Sequence, residues 1–434
     1  MSIKTAEILS TGDELVGGRG VDTNSAYIAG HLGTVGIEVV RVTTVGDHAE
    51  RLEEAWREAL KRADLVISTG GLGPTVDDLT TVVLARAAGL GIVRDQRQAE
   101  RIEAFFARLG RVMPENNLDQ ADLPQGATAI DNRLGTAPGY RLEVRLDGGT
   151  PAVAVALPGV PREMKAMLAE DVLPWLAGQA DPACIESYHT FQTFGMSESA
   201  IDEALAEIVD GSDVHLSLRA SFPSISVRVA LPGNDPATAQ RLEVLAGRVR
   251  QSLGDTIYAE GESNMETVVG QLLSKAGKTL ATAESCTGGL IGDRITSVPG
   301  SSDYYKGGLV AYSDDLKEKA LGVSASTLSM FGAVSEETAI EMALGVRRLV
   351  EADFGLATTG IAGPGGGSQE KPVGTVAVAL ASGDDEDSVD SRIYHLGGTR
   401  SWVKGLSAQI ALDWMRRHLL GRPYETFRMM HTKD

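Results

Sequence analysis

A chain of 434 residues is longer than one hydrophobic core organises, so two or three domains are expected. A hydrophobic content of 43% with 23% charged residues is that of a soluble globular protein, and a net charge of -19 argues against a general binder of phosphate backbones while leaving a local basic patch open. Two cysteines, Cys184 and Cys286, are too few for a disulfide framework or a CxxC zinc site, and without a membrane-length apolar run or a signal-peptide core the chain reads as cytoplasmic, with no membrane partner.

From residue 1 to about 175, strand and helix patterns alternate. Residues 5–10 form a short apolar strand that ends in Thr11-Gly12-Asp13-Glu14-Leu15, and Asp22-Thr23-Asn24-Ser25 supplies N-cap chemistry for a helix through about Leu32. Residues 38–45 alternate like a strand up to Gly46-Asp47, a helical pattern covers about 51–62, and 65–68 is a second buried strand. This order predicts a mostly parallel sheet with helices on both faces. The second strand runs into Thr69-Gly70-Gly71-Leu72-Gly73-Pro74-Thr75-Val76-Asp77-Asp78. Glycines after a strand let phosphate oxygens reach the main chain where the next helix begins. Asp77 and Asp78 suit a divalent cation bridging such phosphates. A sharp turn with an aspartate N-cap is the alternative. Asn132-Arg133-Leu134-Gly135-Thr136-Ala137-Pro138-Gly139 is a second glycine-rich loop, and Leu157-Pro158-Gly159-Val160-Pro161-Arg162-Glu163-Met164 a third. Asp147-Gly148-Gly149 reads as a hairpin turn.

These three loops resemble the molybdopterin-binding fold of the MoaB/MogA type, with its Gly-Gly-x-Gly…Asp and Leu-Pro-Gly motifs. The spelling Gly-Gly-Leu-Gly-Pro-Thr-x-Asp-Asp with Gly-Thr-Ala-Pro-Gly is closer to the CinA (competence/damage-inducible) family. The resemblance implies an α/β/α domain with metal-dependent ADP-ribose pyrophosphatase activity. It places ADP-ribose against Gly12, Asn24, Gly70, Gly71 and Gly73, and against Gly135, Thr136, Pro158 and Gly159 of the two later loops. A divalent ion, Mg²⁺ by expectation, would sit on Asp77 and Asp78.

Between about 176 and 257, the stretch 182–194 leads into Gly195-Met196-Ser197-Glu198-Ser199, and Ser197 has N-cap chemistry for a helical pattern over 200–209. Residues 225–231 alternate as a strand and 237–253 are helical. This α+β piece resembles the KH-like linker domain of CinA proteins. It lacks the Gly-x-x-Gly loop with basic neighbours by which KH modules hold nucleic acid, so a structural spacer without direct nucleic-acid contact is expected. His189 and His215 read as surface or packing residues.

From about 258 to 420 the pattern is α/β again. Residues 265–276 are helical, and a buried strand over 279–283 enters Ala283-Glu284-Ser285-Cys286-Thr287-Gly288-Gly289, ahead of an amphipathic helix over 290–297. A serine at a strand-to-helix turn presents its hydroxyl at the carboxyl edge of a sheet, where ligands bind. The backbone N–H groups after it, without partners in the helix, suit an anion or a developing oxyanion, and Gly288 and Gly289 let a substrate approach them. Equally, Ser285 or Thr287 is simply an N-cap. Val298-Pro299-Gly300-Ser301-Ser302 is a loop, 308–313 a second strand, and 314–321 a short helix stopped by Gly322. Val334-Ser335-Glu336-Glu337 starts a helix to about Val350. A strand over 354–358 opens into Thr359-Gly360-Ile361-Ala362-Gly363-Pro364, strands follow over 374–380 and 392–396, and a helix over 401–419 closes the domain. Residues 384–387 read as an inert acidic surface loop.

A serine nucleophile needs a base. The histidines after Ser285 are His395, His418 and His431, all outside the glycine loops, which argues against a Ser-His-Asp triad. A lysine serves as base where burial or a neighbouring cation lowers its pKa. Lys317, early in the helix after Tyr312-Ser313, can lean back toward the sheet edge, with Tyr312 relaying a proton or orienting the serine. Spacing alone equally fits a surface lysine.

Glu284-Ser285-Cys286-Thr287-Gly288-Gly289, Tyr312-Ser313, Thr359-Gly360-Ile361-Ala362-Gly363-Pro364 and Lys371-Pro372-Val373-Gly374-Thr375-Val376 together resemble the nicotinamide-nucleotide amidase (PncC) domain of CinA proteins. The resemblance implies hydrolysis of the carboxamide of nicotinamide mononucleotide to nicotinate mononucleotide and ammonia, without a cofactor. Ser285 would be the nucleophile, activated by Tyr312 and Lys317. Thr287, Gly288, Ser302, Thr359 and Gly360 would line the site, Arg400 would hold the phosphate, and Cys286 would only pack. The whole chain is thereby identified as a member of the CinA family: an α/β protein of three domains, bifunctional in pyridine-nucleotide salvage, expected to form a homodimer. A molybdopterin-related adenylyltransferase and a non-enzymatic competence or recombination adaptor are the alternatives.

Overall fold

The computed structural model describes residues 2–146, 148–179, 185–208 and 213–424. Cys184, His431, Asp147 of the expected hairpin turn, Pro182 and Val209 lie outside the described residues. The chain divides into two units, one of Met1–Ser187 with Pro232–Ala239, the other of Tyr188–Leu231 with Gln240–Asp434.

Strands of the first unit are β1 (Thr5–Thr11), β2 (Glu38–Val45), β3 (Leu65–Thr69), β4 (Ile92–Arg94), β5 (Asp122–Pro124), β6 (Thr128–Ile130), β7 (Gly139–Val144) and β8 (Ala152–Leu157). One sheet has the order β2-β1-β3-β8-β7-β6, while β4 and β5 form a separate ribbon. Within the sheet β2, β1, β3 and β8 are parallel; β7 and β6 run antiparallel. Helices cover both faces, which is why the central strands are apolar at consecutive positions. Ile8, Ile67 and Val155 pack with Ile28, Leu32 and Met164 on one face. Their chain neighbours Leu9, Val66 and Ala154 pack with Trp56 and Leu84 on the other. The expected N-cap holds: Asp22 accepts a hydrogen bond from Ser25 N–H at 2.9 Å.

The second unit carries two sheets. The first, β10-β11-β9-β12, comprises β9 (Glu186–Thr193), β10 (His215–Ser221), β11 (Ser224–Pro232) and β12 (Ile257–Glu260). Helices Glu198–Leu205 and Pro236–Leu253 pack on it through Ile201, Leu205, Ala246 and Val249. Ser197 caps the former, accepting from Ala200 N–H at 3.2 Å. The second sheet, β14-β13-β15-β16-β17, comprises β13 (Leu280–Glu284), β14 (Tyr305–Val310), β15 (Phe354–Gly360), β16 (Thr375–Ala381) and β17 (Val389–His395). Here too the strands are two-faced. Val376, Val378 and Leu380 of β16 face one core, with Trp414 and Met415. Ala377, Ala379 and Ala381 face the other, with Ala339, Met342 and Ala343. The small side of that alternation lets the helix Glu336–Leu349 lie close, so close that a Cβ on Gly355 would strike the Ala343 carbonyl.

One expectation changes. The second strand of this domain runs over Tyr305–Val310 rather than 308–313, so Tyr312-Ser313 follow it, and Ser313 caps the helix Asp314–Leu321 by accepting from Leu316 N–H at 3.2 Å. The acidic loop 384–387 is exposed, as expected; Asp384 pairs with Arg347, and Asp385 accepts from Ser388 N–H at 3.1 Å. Among the described residues no helix is long and apolar enough to cross a membrane.

Candidate active sites at two sheet edges

In the first unit the carboxyl ends of β1, β2, β3 and β8 share one edge, joined by the amino end of β7 because it runs against β8. Strand order reverses around β1, with β2 on one side and β3 on the other, the position where open α/β sheets take ligands. Gly70 and Gly71 have φ of 104° and 68°, conformations that favour glycine. A Cβ on Gly70 would strike Thr11, and one on Gly71 would strike Thr80. Asn24 knits the loops together. Its Nδ2 donates to Thr69 Oγ1 at 2.9 Å and to the Gly159 carbonyl at 2.8 Å, while Thr69 Oγ1 donates to the Pro158 carbonyl at 3.1 Å. Gly12, Asn24, Gly70, Gly71, Pro158 and Gly159 are thus collected at one place. Asn132 Oδ1 folds the next loop by accepting from the N–H groups of Leu134 at 3.0 Å and Gly135 at 2.9 Å; Thr136 follows in the same loop at this edge. Beside it a cavity of about 320 Å³ is lined by Gly71, Gly73, Thr75, Asp78 and Pro138, among others.

Asp77 and Asp78 both turn to Thr75. Asp78 Oδ2 accepts from Thr75 N–H at 2.9 Å and Thr75 Oγ1 at 2.6 Å; Asp77 accepts from the same hydroxyl, which lowers its pKa. Two further acids escaped the sequence reading. Asp13 N–H donates to Asp47 Oδ2 at 2.9 Å and Asp47 N–H donates to Asp13 Oδ1 at 3.1 Å. Burial raises the Asp47 carboxyl above its ordinary range, and the charges of Asp13, Glu14 and Asp77 push the same way. Oxygen donors that repel one another suit a divalent cation, although among the described residues no three acidic, histidine or cysteine side chains are already gathered as a ligand set. A usable signal existed: Asp13 and Asp47 each stand two residues past the end of a parallel strand, with a glycine between.

In the second unit β13, β14 and β15 are parallel, and Glu284 pairs with both Val310 and Thr358. Ser285 and Ala311 therefore leave the sheet beside Thr359, which is still paired with Ala377 of β16, again where strand order reverses. Ser285 is 8% exposed; its N–H donates to the Thr358 carbonyl at 2.9 Å, and the Thr287 and Thr358 hydroxyls share a hydrogen bond of 2.8 Å. Thr359 Oγ1 donates to the Ala333 carbonyl at 2.6 Å, and a Cβ on Gly360 would press on Val376 and the Thr375 carbonyl.

The turn after Ser285 corrects the sequence reading. The helix begins at Leu290 as expected, but its N-cap is Gly289, so neither Ser285 nor Thr287 caps it. Its first N–H groups are taken by Glu284, which is 2% exposed. Glu284 Oε2 accepts from Gly289 at 3.0 Å and Ile291 at 3.1 Å, and Oε1 accepts from Gly292 at 2.9 Å. A carboxylate on the strand's last residue reaches the following turn intramolecularly, so these donors do not serve a bound anion or an oxyanion.

Lys317 is 1% exposed, with Asp314 Oδ1 at 3.5 Å, so the surface reading of this lysine fails. Tyr312 is 60% exposed, and its hydroxyl accepts from Arg400 Nη2 at 2.8 Å; Arg400 Nη1 donates to the Gly363 carbonyl at 2.8 Å. Ser302 is not brought to this edge. It precedes β14, whose first residue Tyr305 pairs with Leu280, the first residue of β13, so it lies at the amino edge. Cys286 is buried, and burial pushes its thiol up to about 12.

Family models match three consecutive stretches: "Probable molybdopterin binding domain" over residues 7–178, "Damage-inducible protein CinA KH domain" over 188–259 and "CinA C-terminal domain" over 262–419. A relative from Halothermothrix orenii whose name calls it competence-damage inducible is 43% identical over 415 residues, covering 95% of this chain and 98% of that protein. A CinA-like protein of Desulfosudis oleivorans is 44% identical over 418 residues, covering 96% of this chain and 100% of that protein. Among solved structures, the competence/damage inducible protein CihA from Agrobacterium tumefaciens is 39% identical, covering 36% of this chain and 93% of that chain with a TM-score of 0.35.

Proposed function

Because the chain belongs to the CinA family, we propose that it is a bifunctional hydrolase of pyridine nucleotides. Its second unit deamidates nicotinamide mononucleotide. The observation that carries this reading is the burial of Lys317. On a helix spelled Asp-Asp-Leu-Lys-Glu-Lys, a lysine 1% exposed beside the carboxyl edge that bears Ser285 is costly to desolvate. A role as proton acceptor for the serine accounts for it. In that role Ser285 Oγ attacks the carboxamide carbon while its proton passes to Lys317. The C–N bond then breaks, the lysine returns the proton, and ammonia leaves. Water cleaves the resulting ester, releasing nicotinate mononucleotide and restoring Ser285. Tyr312, held by Arg400, orients the approach. Cys286, its thiol raised by burial, stays protonated at neutral pH and leaves the chemistry to its neighbour.

The first unit, on the same reading, cleaves the pyrophosphate of ADP-ribose. On this reading the phosphate oxygens lie against the loops of Gly70, Gly71 and Gly159, which pack so tightly that a Cβ on Gly70 or Gly71 would strike Thr11 or Thr80. Asp77 and Asp78, with Asp13 and Asp47, would hold a divalent cation such as Mg²⁺, whose chemistry is to neutralise charge on the phosphates. The test is product analysis: the full chain should release ammonia from nicotinamide mononucleotide, and Ser285→Ala should not. A wild-type protein that releases none rejects the deamidase reading.

A further inference from the structure

Lys404 stands one turn after Arg400 on the helix Arg400–Leu419, so the two side chains share a face. A methyl group built on Gly288 would lie 3.5 Å from Lys404 Nζ, which puts the ammonium against the turn that follows Ser285. Lys404 has no ion-pair or hydrogen-bond partner among the described residues. Arg400 spends one N–H on the Gly363 carbonyl and one on Tyr312, leaving three of its five donors. Two like charges one turn apart repel unless an anion lies between them. The N–H groups of Gly289, Ile291 and Gly292 at the start of the helix are already taken by Glu284, so they add nothing to an anion site beside Lys404.

Building on the deamidase reading above, we infer that Lys404 acts with Arg400 as the site for the phosphate monoester of the substrate, and that this pair selects nucleotide over nucleoside. The experiment uses the full chain as wild type, Lys404→Gln and Lys404→Arg, in two arms. One arm measures kcat/KM for nicotinamide mononucleotide and for nicotinamide riboside; the other measures the Kd of ribose 5-phosphate by calorimetry. Losing one charge-assisted contact predicts that Lys404→Gln lowers the mononucleotide-to-riboside ratio of kcat/KM about 10- to 100-fold, through KM. Ribose 5-phosphate should weaken by a similar factor, and Lys404→Arg should restore most of both. Equal losses on the two substrates would make Lys404 an oxyanion or packing group and overturn the inference, as would unchanged ribose 5-phosphate binding. If the wild type releases no ammonia, the deamidase reading falls, while weaker ribose 5-phosphate binding by Lys404→Gln still supports the anion site.

Discussion

Replacing Glu284 by glutamine tests the turn on which the serine stands. The carboxylate is 2% exposed and serves three backbone donors: Gly289 and Ile291 through Oε2, Gly292 through Oε1. Glutamine keeps one oxygen and sets an NH₂ against the remaining donor. With its oxygen toward Gly289 and Ile291, the Gly292 N–H is orphaned; flipped, it orphans two. A buried unsatisfied group costs about 1–3 kcal/mol, and both the N–H and the opposing amide are affected. The surviving bonds also lose their charge assistance. The expected cost to the turn is about 3 kcal/mol, or roughly 150-fold in a local opening equilibrium. Amide hydrogen exchange resolves this residue by residue in the full chain. Exchange at Gly289, Ile291 and Gly292 should accelerate by about that factor, while Val378 in the middle of β16 should not change. Deamidation should fall in parallel, since Ser285 stands on the same turn. Exchange within about threefold of wild type at those amides would refute the claim that Glu284 holds the turn.

Ser285→Ala should lower kcat on nicotinamide mononucleotide by about 10⁴-fold or more, and Lys317→Arg nearly as far, since a guanidinium does not accept a proton at neutral pH. Cys286→Ala should cost little beyond packing; an active Ser285→Ala beside a dead Cys286→Ala would move the nucleophile to the cysteine. EDTA should abolish ADP-ribose hydrolysis and spare deamidation, and equal loss of both would refute that division. Asp413, 1% exposed, accepts from Arg416 Nε and Arg417 Nε, both at 2.7 Å. Asp413→Asn removes the carboxylate that both buried guanidinium groups contact and should cost about 3–5 kcal/mol in denaturant unfolding, a loss under about 1 kcal/mol counting against the argument. Arg250 first, then His189, holds Glu260 down at about 2 against an ordinary 4.5. A depressed carboxyl stabilises fully above the ordinary value and loses that contribution as pH falls toward 2, so Glu260→Gln should flatten the acid limb of a melting-temperature profile.

Local rules made much of this legible before any coordinates. Asp22, Ser197 and Ser335 cap the helices their spacing announced, and Gly322 ends the helix Asp314–Leu321 in the left-handed conformation. Features that depend on partners distant in sequence were not legible. Asp384 finds Arg347 across 37 residues, and Asp13 finds Asp47 across 34. Lys317 sits on a run of charges that pattern alone assigns to solvent, and only the surrounding tertiary packing buries it. The start of β14 moves: the expected strand begins at Gly308, but Tyr305, Lys306 and Gly307 also belong to it, and a Cβ on Gly308 would strike Thr282 Oγ1 and Tyr305. That shift also explains Ser302: motif order along the chain carries no information about which edge of a sheet a loop occupies.

The two α/β sheets begin alike and diverge at the reacting edge. In the first unit, Asp64 Oδ2, next to the start of β3, accepts from the N–H groups of Lys4 and Thr5 at 3.0 Å. In the second, Asp353 Oδ2, next to the start of β15, accepts from Thr279 N–H at 2.8 Å and Thr279 Oγ1 at 2.9 Å. Each aspartate pins the amino ends of two neighbouring parallel strands, which levels their carboxyl ends at the opposite edge. After β3 the chain then places glycines at positive φ, with no side chain over the backbone. β13 ends in Glu284, whose carboxylate takes the N–H groups of Gly289, Ile291 and Gly292 in the turn that follows. On the proposed functions, phosphate recognition in the first unit would draw on its glycine loops and a divalent cation, and in the second on the side-chain cations Arg400 and Lys404. A Gly71→Ala change should damage the first activity by steric collision with Thr80 while leaving the second intact. Loss of ADP-ribose hydrolysis and deamidation together in that variant would mean that the two edges do not work separately.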